Sequence, residues 1–308
     1  MINFRYHVVS LTSVFLALAI GLVLGTAALN GPVADNLNSQ VSGLRKTNGQ
    51  LRDQVDELQT RANSQDTFVR EVAPTLLAGR LIGRSVVVVS TSNADSKSRD
   101  GVIQMLQKAG ATVDGSIKLT TAYTDPKRDD ALQDLATKLV PAGVTNLPNN
   151  GIGVETASAL LGTVLVGNSQ VSAASRSTIL TGYSSLGVLT VESQVTKPAD
   201  AVVVVAGTPA TDNEAGKRNA ALLTAIREFD AYAKYMVVAA PTASGSGSPV
   251  AAIRDNGSLS KSISTVDGVS LAEGQVATAM ALAEQFTGQA GHYGTGNGAT
   301  ARIPALKG

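Results

Sequence analysis

The sequence predicts an α/β protein carrying an N-terminal transmembrane helix and a parallel coiled coil ahead of a mostly parallel α/β sheet domain. Three observations predict it. Val8–Leu29 is a run without charge or proline, long enough at about 1.5 Å per helical residue to cross the roughly 30 Å hydrocarbon core of a bilayer. Leu37 to Val72 repeats apolar residues with a heptad period, the signal of a coiled coil. From Ser85 onward, short Val-rich runs alternate with amphipathic stretches, as strands and helices do in a parallel sheet.

The anchor is expected at residues 8–29, after a stub at 1–7. Arg5 and His7 precede the run, and no Lys or Arg follows until Arg45. Basic flanks stay cytoplasmic, so the N-terminus is placed inside and the bulk of the chain outside the inner (plasma) membrane. Phe4 and Tyr6 suit the headgroup level. A cleaved signal peptide is the competing reading, though its apolar part would be unusually long and Thr26-Ala27-Ala28 makes a poor cleavage site. Ala17, Gly21 and Gly25 share one helix face, where small residues let a second membrane helix approach.

Gly31-Pro32 reads as punctuation, and the coiled coil is set at 33–73. With Leu37 at d, the seam holds Leu37, Val41, Leu44, Asn48, Leu51, Val55, Leu58 and Val69. β-Branched a positions with Leu at d favour two parallel strands, and the lone Asn48 at a selects an in-register dimer. An amphipathic helix lying on its own domain is the alternative. Gly43 and Gly49 each weaken the helix by about 1 kcal/mol, and the flanking Arg45, Arg52, Gln54 and Arg61 offer few attractive pairs. Pro74 is expected to end the coil, with Gly79 and Gly83 as further breakers.

The α/β domain is expected over 80–287. Strands are read at 85–90, 112–119, 187–191, 201–206, 235–240 and 262–266. Helices are read at 98–109, capped by Gly110, and at 129–140, 154–166, 175–183, 213–232 and 271–286; 163–166 also suits a strand. The Val-rich runs Val86–Val89 and Val202–Val205 are read as neighbouring central strands. Residues 147–153 are read as a loop, 244–248 as a flexible Gly/Ser stretch and 288–308 as a disordered tail.

Composition narrows the chemistry. The 308 residues carry a net charge of +1, which gives no field for nucleic acid, and contain no Cys, which excludes thiolate catalysis and zinc–thiolate sites. Of two histidines, His7 falls at the membrane edge and His292 in the expected tail, leaving the domain without the usual general base. Gly151-Ile152-Gly153, Gly294–Gly298 and Gly245–Ser248 each lack the pattern or context of a phosphate loop or nucleophile elbow. Met105, Met236 and Met280 read as core. Catalytic, metal and cofactor residues are therefore expected to be absent. In open α/β sheets ligands bind beyond the carboxyl ends of strands. The loops there contain Ser92, Asn93, Asp95, Thr208 and Asp212, which read either as a small polar pocket or as ordinary helix caps.

The opening segment MINFRYHVVSLTSVFLALAIGLVLG, followed by TAALNGP and heptads, resembles the start of the actinobacterial MctB family, also called SteB. That resemblance implies one of two roles. One is copper transport or homeostasis, through a channel. The other is cell separation beside a SteA-type partner, with an influence on peptidoglycan hydrolysis and a coiled-coil hydrolase as a further partner. A channel needs several spans or a closed barrel, and a copper carrier needs soft ligands. The residues favour a non-enzymatic, membrane-anchored, homodimeric envelope scaffold, with copper transport as the alternative and small-ligand sensing by the α/β domain as a second.

Overall fold

A strand built of valine cannot present either face to water, and helices on both sides of the sheet follow from that. The computed structural model describes residues 4–145, 147–166 and 171–305, with the side chains of 28–34 outside that set. The chain divides into two units, Met1–Gln65 and Asp66–Gly308. Residues 1–3 of the expected stub and 306–308 of the expected tail lie outside the described residues.

Helix α1 (Phe4–Leu77) opens in the first unit. It continues through Gly31-Pro32 and Pro74, where the sequence predicts breaks. An interior proline removes one backbone hydrogen bond, and the rest of the ladder carries the helix past it. Phe4–Ala27 is long and apolar enough to span a bilayer, with a mean hydropathy of 2.4.

In the second unit the elements after α1 are β1 (Ser85–Ser90), α2 (Ser96–Lys108), β2 (Thr112–Leu119), α3 (Asp129–Lys138), α4 (Gly153–Leu165), α5 (Ala173–Ser185), β3 (Leu189–Ser193) and β4 (Ala201–Val205). They are followed by α6 (Ala215–Tyr232), β5 (Met236–Ala240), α7 (Pro249–Arg254), α8 (Leu259–Ser262), β6 (Ile263–Asp267), α9 (Ala272–Gln285) and β7 (His292–Tyr293). The sheet order is β3-β2-β1-β4-β5-β6-β7. All neighbours are parallel except the antiparallel edge strand β3. The two Val-rich strands are neighbours, Val87 beside Val202 and Val89 beside Val204.

Strand periodicity divides the core in two. Val87, Val89, Val202, Val204 and Val238 face α3 to α7, where Leu132, Leu160, Ile226 and Phe229 are buried. Val86, Val88, Val203, Val205 and Val237 face the end of α1, α2 and α9, with Leu77, Val102, Met105, Met280 and Leu282. Full burial of one such side chain contributes roughly 1.5–3 kcal/mol. The last turns of α1 belong to this second layer. Ala73 and Leu77 are buried, and Val69, partly buried, packs against the same cluster. Asp66 Oδ1 also accepts the Ala272 N–H at the start of α9, 2.6 Å away, where a carboxylate suits the helix dipole.

Local chemistry fixes several boundaries. Gly110, at φ +94°, reverses the chain after α2, a conformation that favours glycine. The stretch 163–165 is helical, not a strand, and Val166 makes only an isolated bridge to Ala199. Buried Arg176 donates to the carbonyls of Val164 (3.0 Å), Thr196 (3.0 Å) and Val171 (3.2 Å), satisfying one orphan acceptor at the end of α4 and tying two loops to it.

The expected disordered tail is instead folded through residue 305. β7 pairs with β6. Arg254 Nη1 meets Asp267 Oδ2 at 2.9 Å, with side chains 2% and 4% exposed. The same guanidinium donates to Thr265 Oγ1 (2.9 Å), Asn297 O (2.9 Å) and Tyr293 O (2.7 Å). Asp267 Oδ1 accepts the backbone N–H groups of Thr295 (2.8 Å) and Gly296 (3.1 Å). His292 bonds Thr265 Oγ1 at 2.9 Å, so the domain does hold a histidine. Glycine-rich composition conceals this because the partners are a buried ion pair far back in sequence.

Replacing Arg254 with Met leaves Asp267 buried without its cation and is expected to cost roughly 3–5 kcal/mol. Urea unfolding of the full chain in detergent measures the loss, and limited proteolysis should open 288–305 first. Burial, then Arg254, holds the His292 pKa below its usual 6.5. The unfolded chain therefore binds the proton first as pH falls, and this contribution to stability is lost below pH 6.5. A His292→Gln variant should show a flatter pH dependence in the same assay.

Candidate functional site

The strand order turns around between β1 and β4. The chain leaves β1 toward β2 on one side and later returns to β4 on the other, so the loops after these strands diverge and leave a crevice. The crevice has a volume of about 310 Å³. Ser92 and Asn93 line it from the β1 loop, and Thr208 and Asp212 from the β4 loop. The structure thus gathers four of the five loop residues singled out from sequence. Asp95 stands apart: its carboxylate accepts the Ser98 N–H at 3.3 Å and caps α2.

The two loops are fixed to each other through the backbone. Thr91 Oγ1 accepts the Gly207 N–H at 2.9 Å, and Asn93 Nδ2 donates to Thr208 O at 3.3 Å. A Cβ on Gly207 would lie 2.1 Å from the Asn93 carbonyl carbon and oxygen, so only glycine permits this approach. The β4 loop is held from the other side by Asn219 of α6. Its Oδ1 accepts the Ala210 N–H at 3.0 Å and its Nδ2 donates to Ala210 O at 3.2 Å.

Arg218 is the residue that sequence reasoning missed. Its Nη1 donates to Thr121 O at 3.0 Å, and its Nη2 lies 3.5 Å from Asp125 Oδ2. Its Nε lies 3.3 Å from Asp212 Oδ2 but out of line, and is buried without a hydrogen bond. Asp212 also accepts the Glu214 N–H at 3.0 Å through Oδ1, which sets the turn into α6. A recoverable signal existed: Arg218 falls in the first turn of α6, adjacent in space to the strand-end loop.

Among the described residues no group of three or more His, Cys, Asp or Glu is placed to hold a metal ion. In the first unit, Leu37, Leu44, Leu51, Val55 and Leu58 are 54–68% exposed and Val41 38%, with Asn48 exposed among them. They form one apolar stripe on α1. A Cβ added at Gly21 or Gly25 would meet nothing within 4 Å, and Ala17 on the same face is exposed.

Comparison with known proteins accounts for nearly the whole chain. A family profile described as "Copper transport outer membrane protein, MctB" matches residues 1–304. The chain is 30% identical over 321 residues to proteins named copper transporter MctB from Mycobacterium bovis and Mycobacterium tuberculosis, covering 97% of this chain and 98% of each relative. It is 28% identical over 315 residues to the Mycobacterium leprae protein of the same name, again over 97% of this chain and 98% of the relative.

A Gly207→Ala change forces the β1 and β4 loops apart and is expected to destabilise by roughly 1–3 kcal/mol, the usual cost of overpacking. Urea unfolding reads the stability change. Hydrogen exchange should show faster amide exchange at Gly207 and the 208–212 loop than in the unchanged chain, with β5 and β6 protected as before.

Proposed function

The chain belongs to the MctB family, and from that premise we propose that it acts as a membrane-anchored homodimer that scaffolds or regulates the cell envelope without catalysis of its own. The observation that carries this reading is the stripe of Leu37, Val41, Leu44, Leu51, Val55 and Leu58, large apolar side chains left in the open on α1. A stripe of this regularity calls for a partner. Leu at each d position from Leu37 to Leu58, with Val41, Asn48 and Val55 at a, favours a second parallel copy.

Membrane insertion of Phe4–Ala27 would confine the copies to two dimensions and raise their effective concentration, offsetting the helix-weakening Gly43 and Gly49. The small-residue face of Ala17, Gly21 and Gly25 would then meet its mate within the bilayer. We place this assembly in cell separation, beside a SteA-type partner and with an influence on peptidoglycan hydrolysis. The seam is also a surface on which a coiled-coil hydrolase could replace one copy.

Copper handling is the second reading, favoured by the names of the relatives and of the family profile. The residues give it little chemistry. The chain has no Cys, and Met105, Met236 and Met280 are buried in the core. The described sheet is open, running from β3 at one edge to β7 at the other, and so encloses no channel. An indirect effect on copper through envelope permeability fits the residues better than direct coordination.

Replacing Leu44, Leu51 and Leu58 together with Asp should convert a dimer to a monomer in sedimentation equilibrium of the detergent-solubilised chain; an unchanged mass would sink the pairing. Asn48→Val should broaden the distribution toward higher oligomers. Titration of the full chain with Cu(I) is expected to show no binding at micromolar or tighter affinity, and such binding would restore the copper reading.

A further inference from the structure

The crevice between the β1 and β4 loops has a mixed polar and apolar lining, and that chemistry narrows the ligand it would fit. We propose that it binds a neutral, polyhydroxylated ligand, one or two sugar rings in size. The inference goes beyond the pairing of copies through α1 and does not depend on it. At about 310 Å³ the crevice falls near the lower end of small-molecule sites, which run from roughly 300 to 1,000 Å³.

The lining separates the ligand classes. Its walls carry hydroxyls and amides from Ser92, Asn93, Thr121, Thr124, Thr208 and Thr211. Each hydroxyl can both donate and accept, and a side-chain amide offers one group of each kind, which matches the mixed demand of sugar hydroxyls. Among the described lining residues only Asp212 and Arg218 are charged, and they carry opposite signs. Asp125 lies 3.5 Å from the same guanidinium. A phosphate or nucleotide would meet two carboxylates around the only cation of the described wall and would find no glycine-rich cradle. A cation would meet Arg218. A wholly apolar ligand would strand the hydroxyls without partners.

A polyol escapes all three objections. The Asp212 side chain is 58% exposed and Arg218 20%. Together they set a carboxylate acceptor beside a guanidinium donor, the complement of two adjacent hydroxyls. Leu119, Leu222 and Pro209 supply an apolar part of the same lining, suited to the C–H face of a ring. The loops are also held in place before any ligand arrives. Asn219 clamps Ala210 through both of its amide groups, and Thr91 clamps Gly207, so little ordering remains for binding to accomplish.

The test uses the full chain in detergent and saturation-transfer NMR with D-glucose, N-acetyl-D-glucosamine and maltose, against inorganic phosphate and ATP. At least one sugar should bind with millimolar or better affinity, while phosphate and ATP do not compete. Asp212→Ala and Asn93→Ala sit on exposed loops and should keep the circular dichroism spectrum, while each weakens sugar binding about tenfold or more. A Leu44→Asp, Leu51→Asp, Leu58→Asp chain should keep sugar binding whether or not it still dimerises, which separates this inference from the pairing. The inference fails if none of the sugars binds, if binding is unchanged in both loop variants, or if phosphate or ATP displaces the sugar.

Discussion

Two adjacent strands, Val86–Val89 and Val202–Val205, have no face that water can reach, so the sheet has to be covered on both sides. That requirement explains the sorting of helices into two layers. It also explains why the last turns of α1 leave the heptad repeat and bury Ala73 and Leu77 on the domain. With few aromatics and no disulfide available, the interior is filled mainly by Val, Leu, Ile and Ala, with Tyr123, Tyr183 and Phe229 as its largest buried side chains, and close packing of small groups carries much of the core. The crevice between the strand-end loops follows from the same pair, because β1 and β4 are where the chain reverses its direction of travel across the sheet.

Much of this was legible in the residues. SVVVVS and AVVVVA read as central strands because valine on every position fits only a strand with two dry faces. The strand at Thr112–Leu119 and the glycine after α2 were readable from local pattern. The failures were non-local. The stretch after Gly288 reads as loose because glycine dominates it, yet its N–H groups answer a carboxylate on β6. Pro74 and Gly31-Pro32 read as helix ends, yet the helix passes both. Helix α7 was hidden behind a Gly/Ser stretch that looked like linker, although Ser248 caps it with a 3.4 Å bond from the Ala251 N–H.

The candidate crevice shows the same division. Ser92, Asn93, Thr208 and Asp212 could be found because strand ends in open sheets collect ligand contacts. Arg218 carried only the weak signal of its place at the start of a helix, since its environment depends on Thr121 and Asp125 from a different crossover. Buried arginines are a recurring device here. Arg176 gathers three carbonyls and Arg254 a carboxylate with two carbonyls. Such groups contribute less net stability than their hydrogen bonds suggest, but removing one partner leaves the other buried and uncompensated.

The Arg254–Asp267 clasp also has a consequence in time. Thr295 and Gly296 are joined to the chain 28 and 29 residues after the carboxylate they bind. Until those residues return to it, that carboxylate has its guanidinium but not its backbone donors, and the far edge of the sheet is unsealed. Closure of that edge is thus a long-range event, later than the local turns of the helices beside it.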